Sequence, residues 1–257
     1  MLRQGLETEL AAATAVALNA GLGTVRPEVL HLGNHTSVRL HPLPFVARIA
    51  SGTSFDLDGD GFSRELTIAG HLASRGAPAI RPASGIRAGP YLQTECVITL
   101  WDYVEGRRVA SVGDEWLAAA SLRRIHSALE NIDVDLPSFL DKVGSCETIL
   151  TNSVEAPELA AGDRALLHDL YRSLRESLDV TSASWQPLHG DAHIGNAMIA
   201  NSDAVWLDLK SVCLGPLEWD VGFLPTRTWL AFGPVDTALI RLLADVRQSL
   251  RGDLVLG

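Results

Sequence analysis

The residues whose types and spacing favour chemistry are concentrated in one polar segment, Trp185-Gln-Pro-Leu-His-Gly-Asp-Ala-His-Ile-Gly-Asn196. It places Asp191 and Asn196 in a D-x-x-x-x-N spacing, on a predicted loop between two short strand-like runs. A loop aims its side chains individually, so a base and a metal ligand can face one cavity without both binding the metal. A carboxylate can take a proton from an attacking hydroxyl, and an amide oxygen suits Mg²⁺.

A second candidate metal ligand, Asp208, follows the apolar run Ala204-Val-Trp-Leu207. The separation 208 − 196 = 12 is enough for a tight hairpin that returns Asp208 to the neighbourhood of Asn196. Mg²⁺ uses few protein ligands and completes its shell with phosphate and water. The pattern therefore predicts one base, Asp191, and two metal ligands, Asn196 and Asp208. Ordinary turn chemistry is the alternative for each residue taken alone.

Three motifs resemble those of the aminoglycoside phosphotransferase family: His189-Gly-Asp-Ala-His-Ile-Gly-Asn196, Trp206-Leu-Asp-Leu209 and Gly215-Pro-Leu-Glu-Trp-Asp220. That family shares the protein-kinase-like fold with choline kinases, and the Asp-x-x-x-x-Asn spacing is that of the protein-kinase catalytic loop. The resemblance implies an α+β fold of two lobes, the first small and β-rich and the second mostly helical. It implies the catalytic base and the two magnesium ligands named above, and it implies that Asp220 braces the catalytic loop through backbone amides.

The order of predicted elements agrees with two lobes, residues 1–105 and 106–257. In the first lobe, two predicted helices end at glycines, at 7–20 and 62–76. A β-hairpin around a proline-containing turn is predicted at 37–41 and 45–50, and an apolar central strand at 95–104. In the second lobe, helices are predicted from apolar residues at helical spacing, at 114–131, 137–150, 158–180, 217–232 and 235–251. Three short strands are predicted at 185–189, 197–200 and 205–209.

Arg48 and Glu65 are candidate nucleotide-site residues of the first lobe. Arg48 lies on a predicted strand where the resembled family carries a phosphate-binding Lys, and Glu65 lies on the next helix, where the kinase fold places the paired carboxylate. Arg is longer and planar, so it is not a neutral replacement for Lys. A surface Arg on an edge strand and a solvated helix acid are the alternatives.

Four further residues are candidates for contact with the nucleotide. The sequence lacks a Gly-x-Gly-x-x-Gly pattern between residues 30 and 41, so the hydroxyls of Thr36 or Ser37 and nearby backbone amides are expected to cover the phosphates. A plain turn is the alternative there. The base is expected on backbone groups of the segment that contains Trp101 and Tyr103.

Composition narrows the classes of function. The 257 residues include 47% hydrophobic and 20% charged residues, and the net charge is −10. An acidic chain is a poor non-specific binder of nucleic acid and mildly favours a cationic small molecule. Three widely separated cysteines favour a reducing compartment, and no run of about 18 apolar residues appears. We therefore expect a cytoplasmic protein that binds neither nucleic acid nor membrane.

The expected function is Mg²⁺-dependent transfer of the γ-phosphoryl group of ATP or GTP to a small-molecule hydroxyl. The acceptor is expected to be an aminoglycoside or other antibiotic, an amino alcohol or a sugar metabolite. A nucleotide-binding pseudokinase without turnover is an alternative, motivated by Arg48 and the missing glycine pattern. A metal-dependent hydrolase that uses His189, Asp191 and His193 is another, but it leaves Asn196 and Asp208 without a role.

Overall fold

The structure, a computed structural model, describes residues 2–33, 35–51, 60–141 and 184–250, with the isolated positions 162, 165, 169 and 172. The chain divides into two compact units. The first contains Met1–Arg108 and Met198–Lys210, and the second contains Val109–Ala197 and Ser211–Gly257. The segment that carries Asp208 therefore belongs to the first unit, whereas the loop that carries Asp191 belongs to the second.

A five-stranded antiparallel sheet forms the centre of the first unit. Its strands in chain order are β1 (Arg26–His31), β2 (Thr36–His41), β3 (Phe45–Ser51), β4 (Tyr91–Gln93) and β5 (Cys96–Asp102). Their order across the sheet is β1-β2-β3-β5-β4. The alternation of buried and half-buried residues along β2 and β3 gives the sheet two distinct faces. The predicted hairpin and the predicted central strand are confirmed.

Two helices flank this sheet. Helix α1 (Leu2–Asn19) buries small apolar residues such as Ala13 and Val16 in one core cluster with Val38 and Leu40 of β2. Helix α2 (Asp60–Ser74) buries Phe62, Glu65, Ile68, Ala69 and Leu72 at helical spacing. Both helices end where the sequence predicts, because Gly21 and Gly76 take the left-handed conformation with φ of 73° and 65°.

A three-stranded sheet completes the first unit. Its strands are β6 (Arg107–Arg108), β8 (Ala197–Ala200) and β9 (Asp203–Trp206). Their order across the sheet is β6-β8-β9. Asn201 and Ser202 form the turn between β8 and β9 with positive φ, the conformation of a tight two-residue hairpin. The predicted strand 205–209 ends earlier than expected, at Trp206, and Asp208 has a φ of 57°.

The second unit is mainly helical in its described part. Its elements are α3 (Val112–Leu129), β7 (Trp185–Leu188), β10 (Cys213–Pro216), α4 (Leu217–Val221), a 3₁₀ helix (Thr226–Phe232) and α5 (Thr237–Leu250). Strands β7 and β10 pair antiparallel. The single helix predicted over 217–232 is wrong, because the chain leaves helical structure before Pro225, which cannot continue the hydrogen bonding of a helix.

Some predicted helices fall outside the described residues. The helix predicted at 158–180 does so almost wholly, and that at 137–150 does so beyond residue 141. Within the described part of the chain, no helix combines the length and apolarity that a membrane crossing requires.

Candidate active site

The polar loop of the second unit begins at a glycine that no other residue can replace without strain. Gly190 follows β7 with a φ of +80°, and a Cβ atom built on it would lie 1.9 Å from the carbonyl oxygen of Ser211. The loop therefore packs backbone against backbone at this point. A 3₁₀ turn, Ile194–Asn196, then leads into β8.

Asp220 of α4 holds the start of this loop. Its Oδ2 accepts a hydrogen bond from the His189 amide at 2.7 Å, and its Oδ1 accepts one from the Gly190 amide at 2.9 Å. The side chain of Asp220 is fully buried. Burial alone would raise its pKa, but hydrogen bonding and the nearby imidazoles hold the pKa of Asp220 below its ordinary value. Asp220 therefore makes the bracing contacts that the resemblance implies.

His126 of α3 is a third partner of this carboxylate, and sequence reasoning missed it. Its Nε2 lies 2.8 Å from Asp220 Oδ2, and since an ionised carboxylate only accepts, the imidazole donates. His126 is 7% exposed, on a helix face with Leu122, Ile125 and Leu129. A polar residue on that apolar face is the signal that could have revealed a buried partner.

Trp219 adds a further contact from the same helix as Asp220. Its indole Nε1 donates to the carbonyl oxygen of Gly190 at 3.0 Å, and its side chain is buried. The amide and the carbonyl of Gly190 are thus both fixed by neighbouring residues of α4. This leaves the loop beyond Gly190 attached to a rigid start.

Asp191 and Asn196 meet within the loop. The Nδ2 of Asn196 donates to the backbone oxygen of Asp191 at 2.9 Å and to its Oδ2 at 3.1 Å. These bonds use the amide nitrogen, so the other end of the amide, its carbonyl oxygen, is the atom suited to a cation. The Nε2 of His193 lies 3.6 Å from Asp191 Oδ2. Asp191 is about one-third exposed, so its carboxylate is accessible to solvent.

In the first unit, Arg48 joins Glu65 and Asp208. Its Nη1 donates to Glu65 Oε1 at 2.6 Å, and its Nη2 donates to Asp208 Oδ1 at 2.7 Å. Strand β3 lies between β2 and β5, and the Arg48 side chain is 13% exposed. The alternative of a surface Arg on an edge strand is therefore wrong, and so is the alternative of Glu65 as a solvated acid, because its side chain is fully buried.

Glu65 is poorly satisfied for a buried carboxylate. Its Oε2 has no hydrogen-bond partner among the described residues. Burial raises the pKa of Glu65, the nearby Asp208 carboxylate raises it further, and Arg48 opposes both effects. Burial opposes ionisation of Arg48 as well, yet the two carboxylates hold its pKa above the ordinary value.

The two hydroxyl candidates lie on opposite faces of the first sheet. Thr36 is buried and its hydroxyl donates to Glu9 Oε2 of α1 at 2.6 Å. Ser37 is directly opposite Arg48 in the β2–β3 register, so these two residues share the other face. The geometry therefore favours Ser37, and not Thr36, as the hydroxyl beside Arg48.

Trp101 and Tyr103 occupy the end of β5 and the segment after it. Trp101 is buried, and its indole donates to the Thr99 hydroxyl at 2.8 Å. The Tyr103 amide donates to the Pro44 carbonyl at 2.8 Å, and its ring lies 3.8 Å from the Arg39 guanidinium carbon. Thr99 is the register partner of Arg48, so the Trp101 side of β5 and Arg48 belong to one face.

The chemistry of the donors fits a hard cation. An amide oxygen of Asn196 and a carboxylate of Asp208 are the oxygen ligands that Mg²⁺ uses. Among the residues that the structure describes, no group of three or more His, Cys, Asp and Glu side chains is arranged to hold a metal. The hydrolase alternative gains no support, since His189 is fully buried with its Nδ1 3.4 Å from the Asp191 amide.

Comparison with known proteins identifies the fold. The pattern that defines the phosphotransferase enzyme family matches residues 20–252. No match was found among curated protein sequences.

Solved structures with the same fold are similar over almost the whole chain. An amicoumacin kinase complexed with AMP-PNP, Ca²⁺ and Ami has a TM-score of 0.74 at 12% identity, over 98% of this chain and 87% of that one. Choline kinase from Streptococcus pneumoniae has a TM-score of 0.68 at 12% identity, over 94% of this chain and 88% of that one. A spectinomycin phosphotransferase complexed with ADP and spectinomycin has a TM-score of 0.64 at 15% identity, over 95% of this chain and 87% of that one. The predicted α+β, protein-kinase-like fold is confirmed.

Proposed function

We propose that this chain, which belongs to the phosphotransferase enzyme family, transfers the γ-phosphoryl group of ATP or GTP to a hydroxyl of a small molecule. The observation that carries the proposal is the pair of hydrogen bonds from the Asn196 amide to Asp191. They hold a solvent-accessible carboxylate and a metal-type amide oxygen in one loop. The hydrogen bonds that the His189 and Gly190 amides donate to Asp220 fix the start of that loop.

Asp191 is the proposed catalytic base. It would accept the proton of the acceptor hydroxyl on a carboxylate oxygen as the hydroxyl oxygen attacks the γ-phosphorus. The bond between the γ-phosphorus and the β–γ bridging oxygen would break, and ADP or GDP would leave. The Asn196 amide contacts Oδ2 of the same carboxylate, so the orientation of Asp191 is set before the acceptor arrives. Such preorganisation is a main source of catalysis in phosphoryl transfer, where the protein does little covalent chemistry.

Asn196 and Asp208 are the proposed ligands of Mg²⁺. Each side chain carries an oxygen of the kind that Mg²⁺ binds, an amide oxygen in Asn196 and a carboxylate oxygen in Asp208. A bound Mg²⁺ would neutralise charge on the phosphate oxygens.

The division of the chain into two lobes, between residues 105 and 106, also remains a prediction from the sequence.

The donor nucleotide is proposed to bind the face of the first sheet that carries Arg48. Arg48 would contribute positive charge, Glu65 would orient Arg48, and Ser37 would supply a hydroxyl to the phosphates. The base would lie by the backbone near Trp101 and Tyr103. Nucleotide complexes of similar structures, with AMP-PNP, ADP or GDP, support both ATP and GTP as donors.

The acceptor is proposed to be a hydroxyl compound of the antibiotic, amino-alcohol or sugar class. The similar structures include complexes with kanamycin and spectinomycin, and one is a choline kinase. The net charge of −10 favours a cationic member of this class.

A nucleotide-binding pseudokinase is the second candidate, and one observation favours it. Arg48 stands where the family has Lys, and its Nη2 is bonded to Asp208, the proposed metal ligand. A protein of this kind would bind nucleotide and release no ADP or GDP with any acceptor. Nucleotide binding and turnover therefore have to be measured separately.

The test is acceptor-dependent release of ADP or GDP, measured with Mg²⁺ across a panel of hydroxyl compounds. For an active acceptor, Asp191→Asn is expected to lower the rate at least about 100-fold, because the general base is lost. Asp203→Asn is the matched control, since it makes the same chemical change on strand β9, where Asp203 Oδ1 accepts a hydrogen bond from the Ala204 amide at 2.8 Å. Full activity of Asp191→Asn would refute the assignment, and binding without turnover would favour the pseudokinase.

A further inference from the structure

Arg48 uses its two terminal nitrogens on two different carboxylates. Nη1 donates to Glu65 at 2.6 Å and Nη2 donates to Asp208 at 2.7 Å, and Nη2 also lies 3.3 Å from His35 Nδ1. All of these residues belong to the first unit. The planar fork of Arg suits this arrangement, whereas the ammonium of Lys is a compact point charge. The fork of Arg48 therefore lets one side chain contact both carboxylates with separate nitrogens.

The backbone segments that carry the two members of the Arg48–Asp208 pair are fixed by their surroundings. Arg48 lies in an inner strand of the sheet. Asp208 is bounded by Trp206, whose amide donates to the Pro78 carbonyl at 2.9 Å, and by the buried Leu209. The Asp208 side chain nevertheless remains 38% exposed, so a cation from solvent can reach it. The pair is thus preformed and accessible.

We infer that Arg48 is a positioning residue that competes with a divalent cation for Asp208, and so weakens cation binding until the nucleotide is present. The inference rests on the proposed role of Asp208 as a metal ligand. One oxygen of Asp208 already accepts a charge-assisted hydrogen bond, and its negative charge is already compensated. A cation must share or displace that contact. Phosphate oxygens of a nucleotide would offer Arg48 another partner and release Asp208.

The experiment is a titration of the nucleotide-free protein with Mn²⁺, with free ion measured by electron paramagnetic resonance. Arg48→Met is expected to bind Mn²⁺ about tenfold more tightly than the unaltered protein, a change of about 1.4 kcal/mol. Arg48→Lys is expected to bind several-fold more tightly, since it keeps the charge and loses the fork. Arg39→Met is the matched control on the same sheet face, with its guanidinium over Tyr103, and is expected to change nothing.

Two outcomes overturn the inference. Unchanged or weaker Mn²⁺ binding by Arg48→Met would show that Arg48 does not compete. An effect of Arg48→Met without any effect of Arg48→Lys would show that net charge alone is responsible. Asp208→Asn separates this failure from that of the proposed function: if it leaves Mn²⁺ binding intact, the assignment of Asp208 as a ligand is wrong, whereas abolished binding with unresponsive Arg48 variants refutes only the competition.

Discussion

The two units each bury a carboxylate, and the two carboxylates behave oppositely. Asp220 accepts bonds from two backbone amides and from His126, and its pKa is lowered despite burial. Glu65 is equally buried, but it has one guanidinium that it shares with Asp208, and its Oε2 has no partner among the described residues. Burial therefore raises the pKa of Glu65. The number of hydrogen-bond donors, not the depth of burial, decides the direction.

The difference shows how the two regions are suited to separate tasks. Backbone amides are immobile, so the Asp220 contacts fix the catalytic loop in one conformation. A guanidinium on a long side chain can exchange partners, so the Arg48 contacts can respond to a bound ligand. A rigid base and an adjustable nucleotide site are both useful to an enzyme that positions two substrates.

The largest expected effect tests the rigidity of the loop. Gly190→Ala is expected to lower the free energy of unfolding by at least about 3 kcal/mol, because its Cβ would lie 1.9 Å from a backbone oxygen and its φ is +80°. Gly233→Ala is the matched control, with φ +81° and nothing within 4 Å, and is expected to cost about 1 kcal/mol. Urea denaturation measures both. Equal costs would show that the loop yields to the added methyl group.

The sequence predicts the elements with strong periodicity and misses those without it. Helices α1, α2 and α3 and the β2–β3 hairpin follow from apolar spacing and glycine stops. Strand β1 was not predicted, because it lies at the sheet edge and shows no alternation of apolar residues. All six of its residues, Arg26–His31, are half-buried or exposed.

The candidate site divides in the same way. Local motifs locate the catalytic loop and Asp220, because their residues are close together in sequence. His126 is 94 residues from Asp220, and the Arg48–Asp208 contact spans 160 residues. No local pattern encodes such pairs, and the faces of Thr36 and Ser37 depend on the position of α1. These details require the tertiary structure.

The second prediction compares the two buried carboxylates directly. Asp220→Asn is expected to lower the free energy of unfolding by about 2 kcal/mol, because the amide group would set a donor against backbone donors and leave His126 without its anion. Glu65→Gln is expected to cost less than about 1 kcal/mol, because Arg48 keeps Asp208 as a partner. Both changes conserve shape, so denaturation midpoints at pH 7 give a fair comparison. A larger loss for Glu65→Gln would reverse our account of the two sites.

The smallest effect is the dependence of these costs on pH, and its sign differs between the two sites. The folded pKa of Asp220 is below its ordinary value of 3.8, so its stabilising contribution is present above that pH and is lost as the pH falls through the folded pKa. The folded pKa of Glu65 is above its ordinary value of 4.5, so its contribution is present below that pH and is lost as the pH rises through the folded pKa.

The measurement is the difference in unfolding free energy between the unaltered protein and each variant, from pH 3 to pH 8. The difference in unfolding free energy between the unaltered protein and Asp220→Asn should shrink as the pH falls. The corresponding difference between the unaltered protein and Glu65→Gln should shrink as the pH rises above 4.5. A tenfold change in proton affinity corresponds to about 1.4 kcal/mol, which denaturation curves resolve. Two profiles with the same slope would mean that the carboxylates share one electrostatic environment, and the contrast between backbone donors and a shared guanidinium would then be unfounded.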